Sequence, residues 1–416
     1  MEFNKYRLKD IAEYKNERIE TNQLTTVNYI STENLLPNKQ GKQPANNLPS
    51  SKTVKKYTFS DILISNIRPY FKKIWQANNL GGHSNDVLNI TSINEKISND
   101  YLYYYLSQDK FFQYMTQTSK GTKMPRGDKE AIMEYEIKVP KNIVHQNFIS
   151  SLGKSLDNKI EINKKIITNL EELSQTLFKH WFVDFEFPDK NGAPYKSSGG
   201  EMIDSELGKI PSNWKIYKLK DIASHKKETF NPKKSKEVIV KHFSLPAYDN
   251  EEQAIEEEVN KIKSNKWIIN NNCVLFSKMN PDTKRIWLPV IDNKKLNVAS
   301  SEFVVMESPN NKTNSFIYNI CLNSQFIDYL KANTTGSTNS RQRVKPTIAV
   351  NYKLAVEDSI VKKYSEIITP YMEEMKILRS EIGKLTQLRD TLLPKLMSGE
   401  IEIPDDIEVN NDELSI

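Results

Sequence analysis

The sequence is poor in the residue types that build disulfide frameworks and metal sites. Its 416 residues include two cysteines, Cys273 and Cys321, and five histidines. Two cysteines cannot make a disulfide framework or a four-cysteine metal site, and so low a count is typical of a reducing cytoplasm. The histidines form no H-x-H or H-E-x-x-H cluster, so we expect no metal site.

Long apolar segments are also missing. The sequence has no run of 18 or more apolar residues and therefore predicts no membrane-spanning helix. The opening MEFNKYRLKD has no apolar core after a basic stretch, which does not fit a secretory signal. We therefore expect a cytoplasmic protein without a membrane partner.

Motifs for nucleotide or cofactor binding are absent as well. No G-x-G-x-x-G follows a strand-like run, and no G-x-x-x-x-G-K-[ST] occurs. NIRPY (66–70) resembles the N-P-P-Y motif with which amino-methyltransferases hold a target adenine. Two residues separate Asn66 from Pro69, however, and no glycine-rich motif precedes them. The sequence thus predicts no catalytic residue, no metal and no cofactor in this chain.

The net charge of +6 is unevenly distributed along the chain. Residues 1–145 carry +6 and residues 205–355 carry +9, whereas residues 146–204 carry −2 and residues 356–416 carry −7. Basic blocks favour a polyanionic partner such as DNA. A lysine-rich surface without such a partner explains the charge equally well at this stage.

The second half of the chain repeats the first. YRLKDIA (6–12) returns as YKLKDIA (217–223), 211 positions later. Further segments match in the same order, with offsets that reach 216: DILISNIRPYFKKIW (61–75) with NCVLFSKMNPDTKRIW (272–287), GTKMPR (121–126) with GSTNSR (336–341), LEELSQTLF (170–178) with LTQLRDTLL (385–393), and DFEFP (184–188) with EIEIP (400–404). A repeat this long indicates a tandem duplication and two similar folds.

Each copy begins with a mixed block and ends in a long helix. The block contains strand-like runs such as YTFSDILIS (57–65) and CVLFSKM (273–279), and helical stretches near 99–116 and 314–332. In the helix, apolar residues then step by three or four, from Ile149 to Trp181 and from Ile368 to Leu396, in a coiled-coil rhythm that includes Leu173 and Leu388. Asn163 lies on the first seam, where it either fixes the register or merely reaches solvent.

Two helices of this length need a partner of equal length, so we expect them to pack antiparallel against each other. The predicted fold class is mixed α/β (α+β), with two similar domains joined by two long antiparallel coiled-coil helices and a pseudo-twofold relation from the duplication. The predicted boundaries are 1–145 for the first domain, 146–187 for the first helix, 188–210 for a linker, 211–357 for the second domain, 358–399 for the second helix and 400–416 for an acidic tail.

These segments resemble the specificity subunits of type I restriction–modification systems, and the resemblance covers nearly the whole chain. It rests on three regions: DILISNIRPYFKKIW with TSKGTKMPRGDKEAIM, the central LEELSQTLFKHWFVDFEFPDKNGAPYKSSGGEMIDSELGKIPSNW, and the closing LRDTLLPKLMSGEIEI. The resemblance implies that each domain is a target-recognition domain that reads one half of a split double-stranded DNA site. It also implies that modification subunits dock on the helices and carry S-adenosylmethionine and the methyl-transfer chemistry, and we expect two of these subunits. Restriction subunits would join to make the nuclease.

The loops at 31–56 and 226–266 share almost no letters between the copies. Because these loops differ, we expect the two half-sites to differ and the DNA target to be asymmetric.

Basic residues at matched loop positions are the candidate DNA contacts. Arginine binds guanine bidentately, whereas lysine mostly binds phosphate. The candidates are Arg68, Lys72, Lys73, Lys120, Lys123 and Arg126 in the first copy, and Lys278, Lys284, Arg285, Arg341, Arg343 and Lys345 in the second. A solvated basic loop is the alternative for any single residue.

An apolar group at the end of each helix is a candidate docking surface for a modification subunit. The group comprises Phe178, Trp181 and Phe182 in the first copy, and Leu392, Leu393 and Leu396 in the second. If it is a docking surface, large aromatic side chains stay exposed until assembly. The alternative is that these residues pack under the neighbouring domain.

Two other functions stay open at this stage. A self-sufficient DNA methyltransferase or nuclease would need a cofactor or metal site, and the motifs supply none. A coiled-coil scaffold that never binds DNA would leave the two basic blocks unexplained.

Overall fold

The computed structural model describes residues 1–93, 96–309, 313–336, 342–404 and 407. The chain divides into two compact units: unit 1 comprises Met1–Ile160 and Lys384–Ile416, and unit 2 comprises Glu161–Gly383. The division falls in the middle of both long helices rather than at their ends. Each unit therefore contains one mixed α/β domain together with a segment of each helix.

The described residues of the first copy form ten strands, three short α-helices and one long α-helix. The strands are β1 (Phe3–Arg7), β2 (Ala12–Tyr14), β3 (Arg18–Glu20), β4 (Tyr29–Ile30), β5 (Thr53–Tyr57), β6 (Ile62–Ser65), β7 (Ile74–Gln76), β8 (Gly81–His83), β9 (Val87–Ser92) and β10 (Glu136–Pro140). The helices are α1 (Asn99–Leu106), α2 (Asp109–Gln117), α3 (Lys129–Met133) and α4 (Ile143–Phe178), and a π-helical turn, Lys179–Val183, continues α4.

The first domain contains two four-stranded sheets and one two-stranded sheet. One sheet has the order β2-β9-β6-β7, and the other has the order β3-β5-β8-β4, in which β4 and β8 are parallel. The strand β6 (ILIS) is buried along its whole length, as expected for a continuous apolar run. The strand β1 pairs with β10, which leads the chain into α4.

The second copy follows a hairpin of β11 (Met202–Ser205) and β12 (Gly208–Pro211). Its strands are β13 (Lys215–Lys218), β14 (Ser224–His225), β15 (Thr229–Phe230), β16 (Ile239–Phe243), β17 (Ile255–Glu258), β18 (Lys266–Ile268), β19 (Cys273–Ser277), β20 (Ile286–Trp287), β21 (Asn297–Ser300), β22 (Phe303–Glu307), β23 (Thr334–Thr335), β24 (Arg343–Val344) and β25 (Lys353–Val356). Its helices are α5 (Leu219–Ile222), α6 (Leu245–Asp249), α7 (Asn314–Leu322), α8 (Ser324–Ala332), α9 (Pro346–Ala349) and α10 (Asp358–Ser398).

The two domains share one strand order. The sheet β14-β22-β19-β20 corresponds to β2-β9-β6-β7, and the sheet β15-β18-β21-β16 corresponds to β3-β5-β8-β4, with β17 added at its edge. The parallel pair recurs as β16 with β21, and the closing pair recurs as β13 with β25. The predicted duplication into two similar mixed α/β domains is therefore confirmed.

The helices α4 and α10 run antiparallel within each unit. In unit 1, the Arg389 guanidinium of α10 donates to the Asp157 carboxylate of α4 at 2.6 Å. In unit 2, Asn163 Nδ2 donates to Glu381 Oε2 at 2.8 Å, and the Asn163 side chain is 1% exposed. The side chain of Asn163 is therefore a buried contact between the helices rather than a group that reaches solvent.

The buried seam differs from the predicted one at two matched positions. Leu173 is 57% exposed and Leu388 is 46% exposed, so neither belongs to the seam. Ser174 is fully buried instead, next to Tyr364, whose hydroxyl donates to the Ser174 carbonyl oxygen at 3.0 Å. The step of three that selected Leu173 was wrong by one position because a straight helix drifts relative to a strict 3.5-residue repeat.

The core of unit 1 includes the end of the second long helix. Leu393, Leu396 and Met397 pack with Ile403 into a cluster that also contains the buried faces of α1, α2, β6 and β9.

No helix in the described part of the chain is both long enough and apolar enough to cross a membrane.

Candidate DNA interface

Two loops of the first domain meet and carry most of its candidate DNA contacts. The Arg68 N–H donates to the Pro125 carbonyl oxygen at 2.8 Å, and Ile67 forms a bridge with Arg126. Arg68 has a φ of 50°, a left-handed conformation that is uncommon for a residue other than glycine. The segments 66–73 and 120–126 therefore form one surface, and Arg68 lies at the junction.

The second domain repeats this junction with different residues. The Asn280 N–H donates to the Gln342 carbonyl oxygen at 2.9 Å, Met279 forms a bridge with Arg343, and Asn280 has a φ of 46°. Asn280 therefore occupies the place of Arg68. The backbone geometry is shared while the side chain at the junction changes from a cation to an amide, as expected for surfaces with different base preferences.

Four of the six candidates in the first domain are exposed near this junction: Arg68, Lys120, Lys123 and Arg126. Lys120 lies 2.6 Å from Asp128 with a side chain that is 81% exposed, and Arg126 lies 3.4 Å from Asp86 with a side chain that is 54% exposed. Such exposed pairs are weak and screened, so a phosphate can displace them.

Lys72 and Lys73 are held by contacts within the chain. Lys72 Nζ donates to the Asp109 carboxylate at 2.8 Å, and Lys73 Nζ donates to the Thr32 carbonyl oxygen at 2.5 Å. Burial also lowers the pKa of Lys73. The ammonium groups of these two lysines face the protein, so they are poorer candidates for DNA contact than their neighbours.

The candidates in the second domain divide in the same way. Lys284, Arg343 and Lys345 are exposed, whereas Lys278 donates to the Ser301 carbonyl oxygen at 2.7 Å. Arg285 is bidentate to Asp249, with distances of 2.7 and 3.0 Å. Arg341 lies outside the described residues.

The structure corrects the match between the second loops. The sequence aligned Arg126 with Arg341, but Arg126 bridges to Lys120 and Ile67, whereas Arg343 pairs with Thr335 and bridges to Met279. Arg343 is therefore the counterpart of Arg126, because the loop of the second copy is two residues longer between its paired ends.

Exposed apolar side chains at the same surface were not predicted from the sequence. Tyr70 is 48% exposed, Phe71 is 39% exposed and Met124 is 46% exposed. The rings of Tyr70 and Phe71 lie 4.8 Å apart, centroid to centroid. The sequence signal was an aromatic residue two positions after an arginine in a basic loop, because such side chains can pack against sugars or bases.

The aromatic group at the end of α4 is buried, so its prediction as an exposed docking surface was wrong. Phe178, Trp181 and Phe182 are 4%, 6% and 7% exposed. Phe182 packs against Phe316 and Tyr364, with ring centroids 4.7 and 5.3 Å away. These side chains close the core beneath the second domain, which is the alternative that the sequence left open.

The matched group at the end of α10 is also mostly buried. Leu393 and Leu396 are 4% and 3% exposed, and Leu392 packs partly buried against the same cluster. These leucines belong to the core of unit 1, and the prediction that they form a docking surface was wrong for the same reason.

Among the described residues, no three His, Cys, Asp or Glu side chains are grouped so as to hold a metal ion. Both cysteines are fully buried, and burial raises the pKa of Cys273 to about 11. A buried thiol of this kind is a poor nucleophile.

Comparisons with known proteins show what the chain is similar to. Residues 1–172 match the family described as "Type I restriction modification DNA specificity domain". The MjaIX type I restriction enzyme specificity subunit of Methanocaldococcus jannaschii is 26% identical over 315 residues, which cover 74% of this chain and 70% of that protein. The HindI specificity subunit of Haemophilus influenzae is 28% identical over 217 residues, which cover 50% of this chain and 46% of that protein.

Over most of its length the chain is similar to type I restriction–modification specificity subunits. Its function is therefore DNA sequence recognition within such a system. The fold agrees: the crystal structure of a type I restriction–modification system S subunit from M. genitalium aligns with a TM-score of 0.53 at 14% identity over 97% of both chains.

The long helices of this specificity subunit expose apolar side chains that the sequence analysis missed. Ile162, Ile166 and Leu173 on α4 are 47%, 38% and 57% exposed, and they fall within about 40° of one another around the helix. On α10, Ile377 is 61% exposed and Leu388 is 46% exposed. Ile162 matches Ile377, and Leu173 matches Leu388, at the same offset of 215.

Each unit of the specificity subunit also fixes its domain to both helices through a tyrosine, a carboxylate and an arginine. In unit 1, the Tyr104 hydroxyl donates to Asp157, which also accepts from Arg389. In unit 2, the Tyr318 hydroxyl donates to Glu171, which also accepts from Arg379 at 2.8 Å. The carboxylate lies on α4 and the arginine on α10 in both units.

The unit 2 cluster contains a second carboxylate. Glu252 Oε2 lies 3.1 Å from Arg379 Nε, and the Arg379 side chain is 6% exposed. Burial raises the pKa of Glu252 to about 7, and the nearby Glu171 adds to this shift while Arg379 opposes it. Arg379 stays protonated beside two carboxylates, so this cluster is sensitive to the ionisation of Glu252 near neutral pH.

Proposed function

We propose that each recognition domain reads one half of an asymmetric bipartite DNA site through its junction of two loops. The observation that carries the proposal is the repeated geometry: Arg68 and Asn280 occupy equivalent left-handed positions and contact the second loop in the same way. Exposed cations surround both junctions, and they suit phosphate binding. The side chains at the junctions differ, and this difference supports two unlike half-sites.

DNA binding by the isolated chain tests this proposal. We expect Lys123→Ala to weaken binding uniformly across sequences and to lower the slope of log K against log salt concentration by about one, because Lys123 is exposed and has no ion-pair partner among the described residues. Lys209→Ala is the control, since Lys209 is exposed on the β11–β12 hairpin. Equal effects of the two changes would contradict the assignment of the interface.

We also propose that the helix pair docks modification subunits through its exposed apolar residues. Ile162 and Leu173 on α4 and their counterparts Ile377 and Leu388 on α10 support two equivalent sites, since the same pattern occurs once per copy. Exposed apolar residues at matched positions on two helices are typical of interaction surfaces. Two modification subunits would then bind one specificity subunit.

In this proposal the chain itself catalyses nothing, and the modification subunits supply S-adenosylmethionine and methyl transfer. Restriction subunits would complete a nuclease, and a target in cellular DNA would place the assembly in the cytoplasm. The test is methyl transfer to DNA, measured with the purified chain alone and after addition of modification subunits. We expect transfer only in the second case, and methyl transfer by the chain alone would overturn this part of the proposal.

A further inference from the structure

One loop in each domain bridges the DNA-facing junction and the long helices. We name these the bracing loops: residues 31–40 in unit 1 and residues 244–253 in unit 2. Each follows one member of the parallel strand pair, β4 in the first domain and β16 in the second. Their sequences differ almost completely, so the correspondence appears only in the structure.

The backbone shows that the bracing loops are equivalent. Each opens with a serine whose carbonyl oxygen accepts from the residue four positions later: Leu35 N–H to Ser31, and Tyr248 N–H to Ser244. Each ends in two consecutive left-handed residues that are not glycine. These residues are Asn38 (φ 54°) and Lys39 (φ 63°) in unit 1, and Glu251 (φ 60°) and Glu252 (φ 56°) in unit 2, at one offset of 213.

Two adjacent left-handed residues are costly, and their repetition indicates that the surroundings hold them in place. The same strained pair, at the same offset and in loops with different sequences, points to a shared structural task.

One side of each bracing loop holds the first DNA-facing segment. In unit 1, the Lys39 N–H donates to the Lys72 carbonyl oxygen at 2.9 Å, and Lys73 Nζ donates to the Thr32 carbonyl oxygen. In unit 2, the Tyr248 hydroxyl donates to the Lys284 carbonyl oxygen at 3.2 Å. Arg285 forms its bidentate pair with Asp249.

The contacts are matched residue by residue. Lys72 and Lys284 are counterparts, and each accepts through its carbonyl oxygen from the bracing loop. Lys73 and Arg285 are counterparts, and each donates its side chain into the bracing loop. Four of the residues predicted as DNA contacts, two through their carbonyl oxygens and two through their side chains, therefore link the DNA-facing segment to the rest of the domain.

The other side of each bracing loop contacts the helices of its unit. In unit 1, Lys39 Nζ lies 3.3 Å from the Asp390 carboxylate of α10 and 3.6 Å from the Asp109 carboxylate of α2, and the Lys39 side chain is 13% exposed. In unit 2, Glu252 pairs with Arg379 of α10, and Glu251 lies 2.6 Å from Lys164 Nζ of α4. The charge at the tip is therefore positive in unit 1 and negative in unit 2, and the helix residues opposite are reversed to match.

We propose that the bracing loops position the DNA-facing segment of each domain on the helices of its own unit. We also propose that the reversed charges at the loop tips assign each domain to its unit, because each tip pairs with the helices of its own unit and is repelled by those of the other. A first domain placed in unit 2 would bring Lys39 towards Arg379, and a second domain placed in unit 1 would bring Glu252 towards Asp390. Like charges in contact discriminate strongly, because each arrangement removes a favourable pair and adds a repulsive one. The positioning part rests on the proposed DNA contact, whereas the assignment part does not.

Hydrogen exchange of the full chain without DNA tests the contact in unit 1. We expect Lys39→Glu and Asp390→Lys each to speed exchange of the Asn38 and Lys39 amides severalfold. The double charge swap should slow exchange again relative to either single variant, since only the contact with Asp109 stays unfavourable. Lys110→Glu is the matched control, because Lys110 is exposed on α2 and has no ion-pair partner among the described residues. Single variants without effect, or a double variant without rescue, would overturn the proposal.

A transposed chain tests the assignment. Residues 211–357 replace residues 1–145, so that the second domain occupies unit 1 as well. We expect fast exchange in its bracing loop, and protection after Asp390→Lys is added. Full protection without Asp390→Lys would overturn the assignment, and so would a transposed chain that stays unprotected or unfolded with it.

Salt dependence of DNA binding tests the positioning. We expect Lys73→Ala to weaken DNA binding with the salt slope of the unaltered chain, since Lys73 would act through the bracing loop. A slope lowered by about one would make Lys73 a phosphate contact and overturn its positioning role. If the unaltered chain binds no DNA, the proposed function fails, while the exchange results still decide the assignment.

Discussion

Lengthening both long helices at their centres should change the spacing of the DNA half-sites that the complex methylates. Four residues of an alanine-rich helical sequence are inserted into each long helix. They lie between Ile160 and Glu161 in α4 and between Gly383 and Lys384 in α10. These points coincide with the division between the two units. Two contacts between the helices, Asp157 with Arg389 and Asn163 with Glu381, fall on either side of these points and should survive.

The magnitude follows from helix geometry. Four residues add about 6 Å to each helix at 1.5 Å per residue. B-DNA rises about 3.4 Å per base pair, so this corresponds to nearly two base pairs. The added spacer also turns one half-site relative to the other by roughly 70°, because a turn takes about ten base pairs. The inserted residues exceed one helical turn by only about 40°, so the apolar seam is mildly disturbed.

The assay is methylation, with modification subunits present, of DNAs that carry identical half-sites and graded spacers. We expect the optimum to move to a spacer longer by one or two base pairs, with reduced activity because the phase is imperfect. An insertion in one helix alone should be worse, since its antiparallel partner cannot match it. The control places the same four residues after Gly192, which lies in the linker with a φ of 82° and nothing near its Cβ position.

Either of two results would refute the reasoning. If the double-insertion protein keeps full activity and the original spacer preference, then the helices do not measure the separation of the half-sites. A shift produced equally by the linker insertion would contradict it as well.

Further predictions concern the interface, the core, the helix surface and one buried carboxylate. Arg68→Ala should cost about 1–3 kcal/mol of DNA-binding free energy if Arg68 contacts a base, and competition with altered half-sites would show relaxed specificity at one position. Trp181→Ala should destabilise unit 2 by about 3–5 kcal/mol in denaturant unfolding, since the indole is buried. Ile377→Asp should leave unfolding nearly unchanged but weaken binding of modification subunits by about 10- to 100-fold, measured by titration. Because the folded pKa of Glu252 lies above its unfolded value, the unaltered chain should lose thermal stability relative to Glu252→Gln as pH rises from about 4.5 to about 7, and equal melting curves across that range would contradict the raised pKa.

The duplication and the long helices were predictable because their physical origins are local or periodic. Apolar steps of three and four identify α4 and α10 whatever else they contact, and the offset of about 211 to 216 between copies shows that both halves share one fold. The strand order within the domains was not predicted, because pairing such as β3 with β5 across a 32-residue gap depends on tertiary contacts.

The candidate site was predictable by region but not by residue. Basic residues in segments 66–73 and 120–126 identified the surface, yet Lys72 and Lys73 face inward while Arg68 faces outward. That difference depends on the left-handed backbone conformation at Arg68 and Lys72. The residue types at these positions do not predict that conformation.

The prediction of the docking residues was wrong for a different reason. A large aromatic side chain suits a buried core and a protein interface equally well, so composition could not distinguish the two for Trp181. The exposure of Ile162 and Ile377 could not be predicted from the sequence either. A coiled-coil pattern does not show which of two adjacent apolar stripes on a helix is covered.

The central claim is that each domain is an independent reader of one half-site. The most direct measurement is the methylated DNA motif of a chimera in which residues 1–145 come from another specificity subunit of known target, assembled with modification subunits. We predict that one half of the motif changes to that of the donor while the other half and the spacer stay the same. A motif in which both halves change together, or in which neither changes, would contradict the account.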